Sequence, residues 1–308
     1  MFNFNFMRFM LVGILFSSLF AAGCSVNMTE ADDISENAGS GDYSQEMDYT
    51  ITGVELGAGQ TEAINDAIEA YDNLDEWEQK TSSAAAMLAE LDEAFEDEAP
   101  IAVAAWSPHF KFAQYDLKYL EDTEGIFGEE ETVRTIARTD LEKDLPHAYA
   151  ILDRIQFEPE MIEEAVAQNA GTDTDYTEIA REWVNENADT VEEWTAGTAP
   201  AEGEPVKLVT THWDDSMFTA NVAAVVLSEH GFDVTLSAVD TLALFETIAA
   251  GDADASLSPW LPVTDGTYYN EYADQIDDLG PHTEGAKIGI AVPEYMDIDS
   301  IEDLNPKE

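Results

Sequence analysis

Three tryptophans stand where strand-forming runs give way to turns. Trp106 closes Ala102-Val103-Ala104-Ala105-Trp106-Ser107-Pro108, and Trp260 lies in the related phrase Ala255-Ser256-Leu257-Ser258-Pro259-Trp260-Leu261-Pro262. Each puts Trp-x-Pro after a small-residue strand. Trp213 follows the run Val206–Thr211 in Thr211-His212-Trp213-Asp214-Asp215. In open α/β sheets the carboxyl ends of strands face the ligand crevice, so tryptophans there can meet across a cleft as a cage. The plainer reading is core packing, where most Trp side chains go, and residue type alone leaves both open. A glycine turn, Gly57-Ala58-Gly59, precedes a helical pattern, which by itself means little. A dinucleotide fingerprint is excluded because Glu62 replaces its third glycine.

Other chemistry is poorly supported. The five histidines, His109, His147, His212, His230 and His282, have no metal-site spacing, and Cys24 is the only cysteine. Asp173-x-Asp175 and Asp297-x-Asp299 faintly resemble calcium loops, but among 66 acids such pairs arise by chance. Neither Gly-x-Ser-x-Gly nor a phosphate loop occurs. No metal, cofactor or catalytic residue is expected, and Trp77, Trp183 and Trp194 read as packing residues.

The tryptophans need strands and helices to hold them. Strands are expected over Tyr49–Val54, Glu76–Thr81 and Ile101–Ala105, and helices over Thr61–Tyr71 and Ser83–Phe95, the latter capped by Ser82 or Ser83. A more helical region follows, with Leu141–Arg154, Glu158–Gln168 and Tyr176–Trp194. After a linker by composition at residues 197–205, alternation resumes: strand Val206–Thr211, helix Phe218–His230, strand Phe232–Val239, helix Leu242–Ala250, and strands Ala253–Ser258 and Lys287–Val292. Two α/β lobes are the expected result.

Composition sets the surroundings. With 66 Asp and Glu against 12 Lys and Arg, the 308-residue chain has a net charge of −54 and repels nucleic acid and anionic lipid surfaces. Disorder is excluded by 45% hydrophobic residues and six tryptophans. Such self-repulsion is screened best in brine, where the Debye length falls to about 3 Å at 1 M salt. A saline habitat is the simplest reading, with an alkaline habitat or solubility as alternatives. Residues 1–23 carry one base, Arg8, no acid, and an apolar run Phe9–Ala22 ending in Ala21-Ala22-Gly23-Cys24. This reads as a signal peptide with an imperfect lipobox, the apolar run being shorter than a membrane span requires. Cys24 then carries a lipid anchor, and residues up to 48 form a flexible tether.

Beyond residue 49 nearly the whole chain resembles the glycine betaine-binding proteins of ABC importers. The resemblance lies in Gly57-Ala58-Gly59, Ser82-Ser83-Ala84-Ala85-Ala86-Met87, Trp106-Ser107-Pro108-His109, and Tyr115-Asp116-Leu117-Lys118-Tyr119-Leu120-Glu121-Asp122. It continues in Trp260-Leu261-Pro262-Val263-Thr264, Asp278-Leu279-Gly280-Pro281 and Ile288-Gly289-Ile290-Ala291-Val292-Pro293-Glu294-Tyr295-Met296. The Gly57 segment leads, whereas in many members the lobe bearing the other two tryptophans comes first. That order resembles the circularly permuted glycine betaine/proline betaine-binding lipoproteins.

The resemblance implies a two-lobed, type II periplasmic-binding-protein-like α/β fold with a ligand cleft between lobes. One lobe, residues 49–118, holds Trp106 and is rejoined by residues 293–308; the other, residues 119–292, holds Trp213 and Trp260. It further implies that the three tryptophans surround a quaternary ammonium group, and that amides of Gly59 and Gln60 receive the betaine carboxylate at a helix N-terminus, where an anion is favoured. A lipid-anchored receptor on the outer face of the membrane would then hand the solute to an ABC permease. One departure matters: permuted relatives carry a histidine five residues after the second-lobe tryptophan, and this chain has Asp265. A carboxylate about 4 Å from the ligand's own would cost about 4 kcal/mol. Asp265 therefore points away, or is neutralised by His109 or His212, or meets the hydroxyl of choline as the preferred ligand. It is also an ordinary turn residue before Gly266.

Overall fold

The computed structural model describes residues 42–168 and 174–307; the expected signal peptide, Cys24 and most of the tether lie outside the described residues. The chain opens with α1 (Tyr43–Glu46), β1 (Thr50–Thr52), α2 (Gly59–Ala70), β2 (Glu78–Lys80), α3 (Ala84–Asp97), β3 (Ala102–Ser107), α4 (Lys111–Gln114) and β4 (Leu117–Tyr119). Next come β5 (Glu131–Arg138), α5 (Leu141–Asp144), α6 (Pro146–Leu152), α7 (Pro159–Ala167), α8 (Tyr176–Glu186) and α9 (Ala188–Thr195). The remainder is β6 (Pro205–Thr210), α10 (Asp214–Glu229), β7 (Asp233–Ala238), α11 (Thr241–Ala249), β8 (Ala255–Ser256), β9 (Trp260–Leu261), α12 (Gly266–Tyr272) and β10 (Ile276–Pro293).

Local chemistry explains most boundaries. Ser83 caps α3 by accepting the Ala86 amide at 3.2 Å, satisfying one donor that a helix start leaves open. The helix expected over Leu141–Arg154 breaks at Pro146, which lacks an amide to continue the first turn. The one expected over Tyr176–Trp194 breaks at Asn187, whose side chain bonds back to the Trp183 carbonyl. Residues 42–48, read as tether, instead belong to the fold. Ser44 is buried and accepts the Asn305 amide at 2.7 Å, while Tyr43 and Met47 pack on the core.

The strands form one ten-stranded sheet in the order β2-β1-β3-β10-β5-β8-β6-β7, with β4 added beside β10 and β9 beside β5. Its parallel pairs, β2-β1-β3 and β8-β6-β7, are joined by antiparallel β10 and β5. Strand β10 runs for 18 residues. Its first part pairs with β5, and residues 287–291 pair with β3. Sequence pattern revealed only the end of it, because Asp277, Asp278, Gly280 and Pro281 mask the start and the register shifts repeatedly there. Strand β5 falls where no element was expected, between Ile101–Ala105 and Leu141–Arg154, its pattern obscured by charged Glu131, Arg134 and Arg138.

Two main cores lie along this sheet. One contains Ile51, Met87, Val103 and Ile290, and the chain end returns to it through Met296, Ile298, Ile301 and Leu304. The other gathers Ile151, Leu152, Val206, Phe218 and Val222, with Trp183 stacked on Trp194 at 5.8 Å. Trp260 follows the second-core strand β8 in sequence, yet its side chain packs in the first core. The loop read as a linker is fastened within the second half: the Ala201 amide donates to His230 O at 2.8 Å and Gly203 to Gly231 O at 2.9 Å. No helix among the described residues is long and apolar enough to cross a membrane.

With 12 Lys and Arg for 66 acids, most carboxylates have no cation to pair with, and the surface repels itself. The thermal midpoint is expected to rise steadily as sodium chloride increases from 0.15 M to 2 M, measured by circular dichroism at constant pH.

Candidate ligand-binding site

The central strands position the tryptophans. Trp106 on β3 pairs with Ile288 of β10, and Trp260 on β9 pairs with Val133 of β5, so both hang from the β10–β5 pair. Trp213 lies past the end of β6 as the N-cap residue of α10. Trp106 thus lies near the end of β3 and Trp213 just past the end of β6, whereas Trp260 opens a short strand of its own. All three line one cavity. Trp106 and Trp213 meet edge to face, with centroids 5.3 Å apart. Such walls attract a cation through the negative faces of their rings without any hydrogen bond.

Gly59 and Gln60 line the same cavity at the first turn of α2. Their amides have no hydrogen-bond partner among the described residues, leaving donors and a positive helix end for an anion. A Cβ on Gly59 would lie 2.0 Å from the Thr264 carbonyl oxygen, so only glycine permits that close approach. The Gln60 side chain is committed elsewhere: its amide nitrogen donates to Ala105 O at 2.5 Å and Gly289 O at 3.3 Å, tying α2 to β3 and β10.

Asp265 is buried in the wall beside them. Its Oδ2 accepts the Trp260 amide at 2.8 Å, and its own amide donates to Trp260 O at 2.9 Å, closing the loop between them. The buried Glu131 holds that loop from β5, accepting the Val263 amide at 2.8 Å, the Thr264 amide at 2.9 Å and the Thr264 hydroxyl at 2.5 Å. His109 does not line the cavity. It packs against Trp106 at 4.4 Å, its Nδ1 accepts the Lys111 amide at 3.0 Å, and its Nε2 lies 3.9 Å from Asp214 Oδ2. His212 is exposed, and neither histidine bonds to Asp265.

The family model for the substrate-binding domain of ABC-type glycine betaine transport systems matches residues 25–186 and 204–308. The chain belongs to this family. A Listeria monocytogenes member, the glycine betaine/carnitine transport binding protein, is 40% identical over 266 residues, covering 85% of this chain and 88% of the relative. Among solved structures, lactococcal OpuAC in its closed form with glycine betaine is 37% identical with a TM-score of 0.46, over 48% of this chain and 57% of that one. A glycine/betaine/L-proline-binding protein from Borrelia burgdorferi is 26% identical with a TM-score of 0.44, over 50% and 58%. The chain thus spans a little over half the length of these solved chains. As a member of the glycine betaine transport family it is a substrate-binding protein that works with an ABC permease, not an enzyme.

Among the described residues, the charged groups that line the cavity are two acids, Asp215 and Asp265. Burial pushes Asp265 up to about 7, helped by the charges of Glu131 and Asp215. Burial, then the charge of Asp214, pushes Asp215 up to about 6. Sequence reading did not single out Asp215, Thr211 or Glu131, since one acid among 66 gives no signal until its burial is known. Nor did it find Lys111. That lysine is fully buried behind Trp106, its Nζ 3.5 Å from the ring centroid and 3.3 Å from the Trp106 carbonyl oxygen. Burial holds Lys111 well below the usual lysine range, while Asp215, Glu163 and Asp214 pull it back up.

Glu131→Ala leaves three donors of the 263–264 loop without their acceptor, and is expected to cost about 3 kcal/mol or more in urea unfolding. For Asp265 the folded value lies above the ordinary 3.8, so ionisation opposes folding. The penalty is absent below about pH 4, grows between pH 4 and 7 and is full above 7. Asp265→Asn, which keeps an oxygen for the Trp260 amide, is therefore expected to melt higher than the parent at pH 8, by up to about 4 kcal/mol of stability, and to converge with it near pH 4.

Proposed function

We propose that this protein captures a quaternary ammonium compatible solute of betaine type, glycine betaine or proline betaine, and delivers it to its permease for osmoprotection. The observation that carries the reading is one cavity with two unlike ends: the indoles of Trp106, Trp213 and Trp260, and the free amides of Gly59 and Gln60. A quaternary ammonium has no N–H to donate, so hydrogen bonds cannot select it, whereas each aromatic face contributes about 0.5–1 kcal/mol, rising to about 2 when desolvated. The amides and the helix dipole suit the carboxylate at the other end. The acidic surface fits work in brine, where importing such a solute offsets external salt. Lipidation at Cys24 would hold the protein on the outer face of the membrane.

A second reading is favoured by one observation. Asp265 stands in the cavity wall with no cation to neutralise it, and an ionised aspartate suits the hydroxyl of choline better than the carboxylate of a betaine. Calorimetric titration of the purified protein in concentrated salt, with glycine betaine, proline betaine and choline side by side, separates the two. Saturable betaine binding, with the ligand recovered unchanged, is expected. Trp106→Ala, Trp213→Ala and Trp260→Ala should each weaken it at least about tenfold, or 1.4 kcal/mol. Normal binding by two of the three would refute the cage.

A further inference from the structure

The polar end of the cavity is not finished by the protein. Thr211 Oγ1 and Asp215 Oδ1 are buried with no hydrogen-bond partner among the described residues, and both residues line the cavity together with Asp265. Thr211 is 6% exposed and Asp215 4%. Buried polar atoms are rarely left unpaired, so these two point to a ligand group that completes them. Two further carboxyl oxygens are engaged by the protein: Asp215 Oδ2 accepts the Ser216 hydroxyl at 3.2 Å, and Asp265 Oδ2 accepts the Trp260 amide at 2.8 Å.

The charges around this end decide what the ligand can be. Asp214 lies beside Asp215 on α10, and Tyr176 reaches over from α8 to bond Asp214. Glu131 on β5 faces Asp265 but is engaged with the 263–264 loop. Lys111 on α4 is the nearby cation, and with His109 it lies behind Trp106, outside the cavity wall. Among the described residues no Lys, Arg or His lines the cavity. A ligand carboxylate at Gly59 and Gln60 therefore shares the cavity with two carboxyl groups, while the lysine coupled to Asp215, Lys111, lies behind Trp106 and is itself held toward neutrality by burial. At about 4 Å each such pair costs about 4 kcal/mol when both are ionised. A single proton changes the sign, because a carboxylic acid donating to a carboxylate makes a short, strong hydrogen bond. A hydroxyl needs no proton, since it donates directly to an ionised aspartate.

Resting on the quaternary ammonium reading, we propose that Asp215, Asp265 and Thr211 are the specificity-determining residues for the ligand's polar end. A ligand ending in a carboxylate enters with one proton taken up by the acid pair, and one ending in a hydroxyl enters with the pair ionised. Burial supports this by bringing both acids near neutrality, Asp265 to about 7 and Asp215 to about 6, where one proton is readily taken up or released. Below about pH 6 the pair is already protonated and betaine binding no longer depends on pH. Above about 7 the proton must come from solvent, so betaine affinity falls by up to tenfold per pH unit. Choline affinity runs the other way, improving as the pair ionises.

The test is calorimetry of the purified protein with glycine betaine and with choline between pH 5.5 and 8.5, repeated in phosphate and in Tris, whose ionisation heats differ. For betaine at pH 8, the difference between buffers should report uptake of about one proton, with affinity flat below pH 6 and weakening above pH 7. The double variant Asp215→Asn/Asp265→Asn should bind betaine with no pH dependence and no proton uptake. Its affinity for choline should fall at least about tenfold. Should that variant not fold, the buffer comparison on the parent protein decides alone. Betaine binding at pH 8 with equal heats in both buffers and constant affinity would overturn the proposal while leaving the betaine reading intact. Saturation by neither ligand at any pH would overturn the quaternary ammonium reading and the proposal with it.

Discussion

A cavity lined by segments far apart in the chain keeps its shape only if those segments share a rigid frame, and here that frame is the antiparallel pairing of β10 with β5. Strand β10 hydrogen-bonds β5 along its first part and β3 along its last, so one stretch of backbone belongs to both cores. Trp106 is set by its place opposite Ile288, and Trp260 by its place opposite Val133. The irregular register of β10 lies on the β5 side, where Gly280 and Pro281 interrupt it, while the pairing with β3 is regular. Trp106 thus sits on the more regular part of the frame.

Around that frame, buried charge is placed with little cationic compensation. Glu131 is tolerated because three donors converge on it, and in return it fixes the loop that presents Asp265. Lys111 is buried against the indole of Trp106 and its carbonyl, with acids of α7 and α10 at longer range. Burial moves Asp215 and Asp265 toward neutrality despite the hydrogen bonds each accepts. Those two are also the acids that line the cavity, so acids moved by burial stand where a ligand would touch them. The surface has the opposite arrangement, with abundant acids fully hydrated.

Local pattern carried much of the fold. The alternation of apolar runs and helical segments gave most parallel strands and their crossover helices, because buried β-strands such as Ala102–Ser107 are continuous small and apolar runs. Ser83 announced its own helix start, since a hydroxyl before an Ala-rich segment has one obvious amide to accept. Strand β5 and the first part of β10 were not legible, because their charged residues, glycine and proline are signals of loops, overridden here by pairing with each other. Residues 42–48 misled in the same way: a polar composition concealed the few contacts of Tyr43, Ser44 and Met47 that fasten them.

By itself the sequence determined that the chain is an acidic, folded α/β protein with tryptophans near strand termini and a glycine turn opening a helix, since these depend on residue type and short spacing. The motifs around Trp106 and Trp260 were specific enough to indicate the family. Tertiary structure alone decided that the three tryptophans and the Gly59–Gln60 turn share one cavity, that His109 stands behind Trp106 rather than in the wall, and that Asp265 remains in it without a cation. The reason is physical: a carboxylate has the same identity in water as in a dry cavity, and only burial and the neighbours brought by distant segments change its charge and what it can bind.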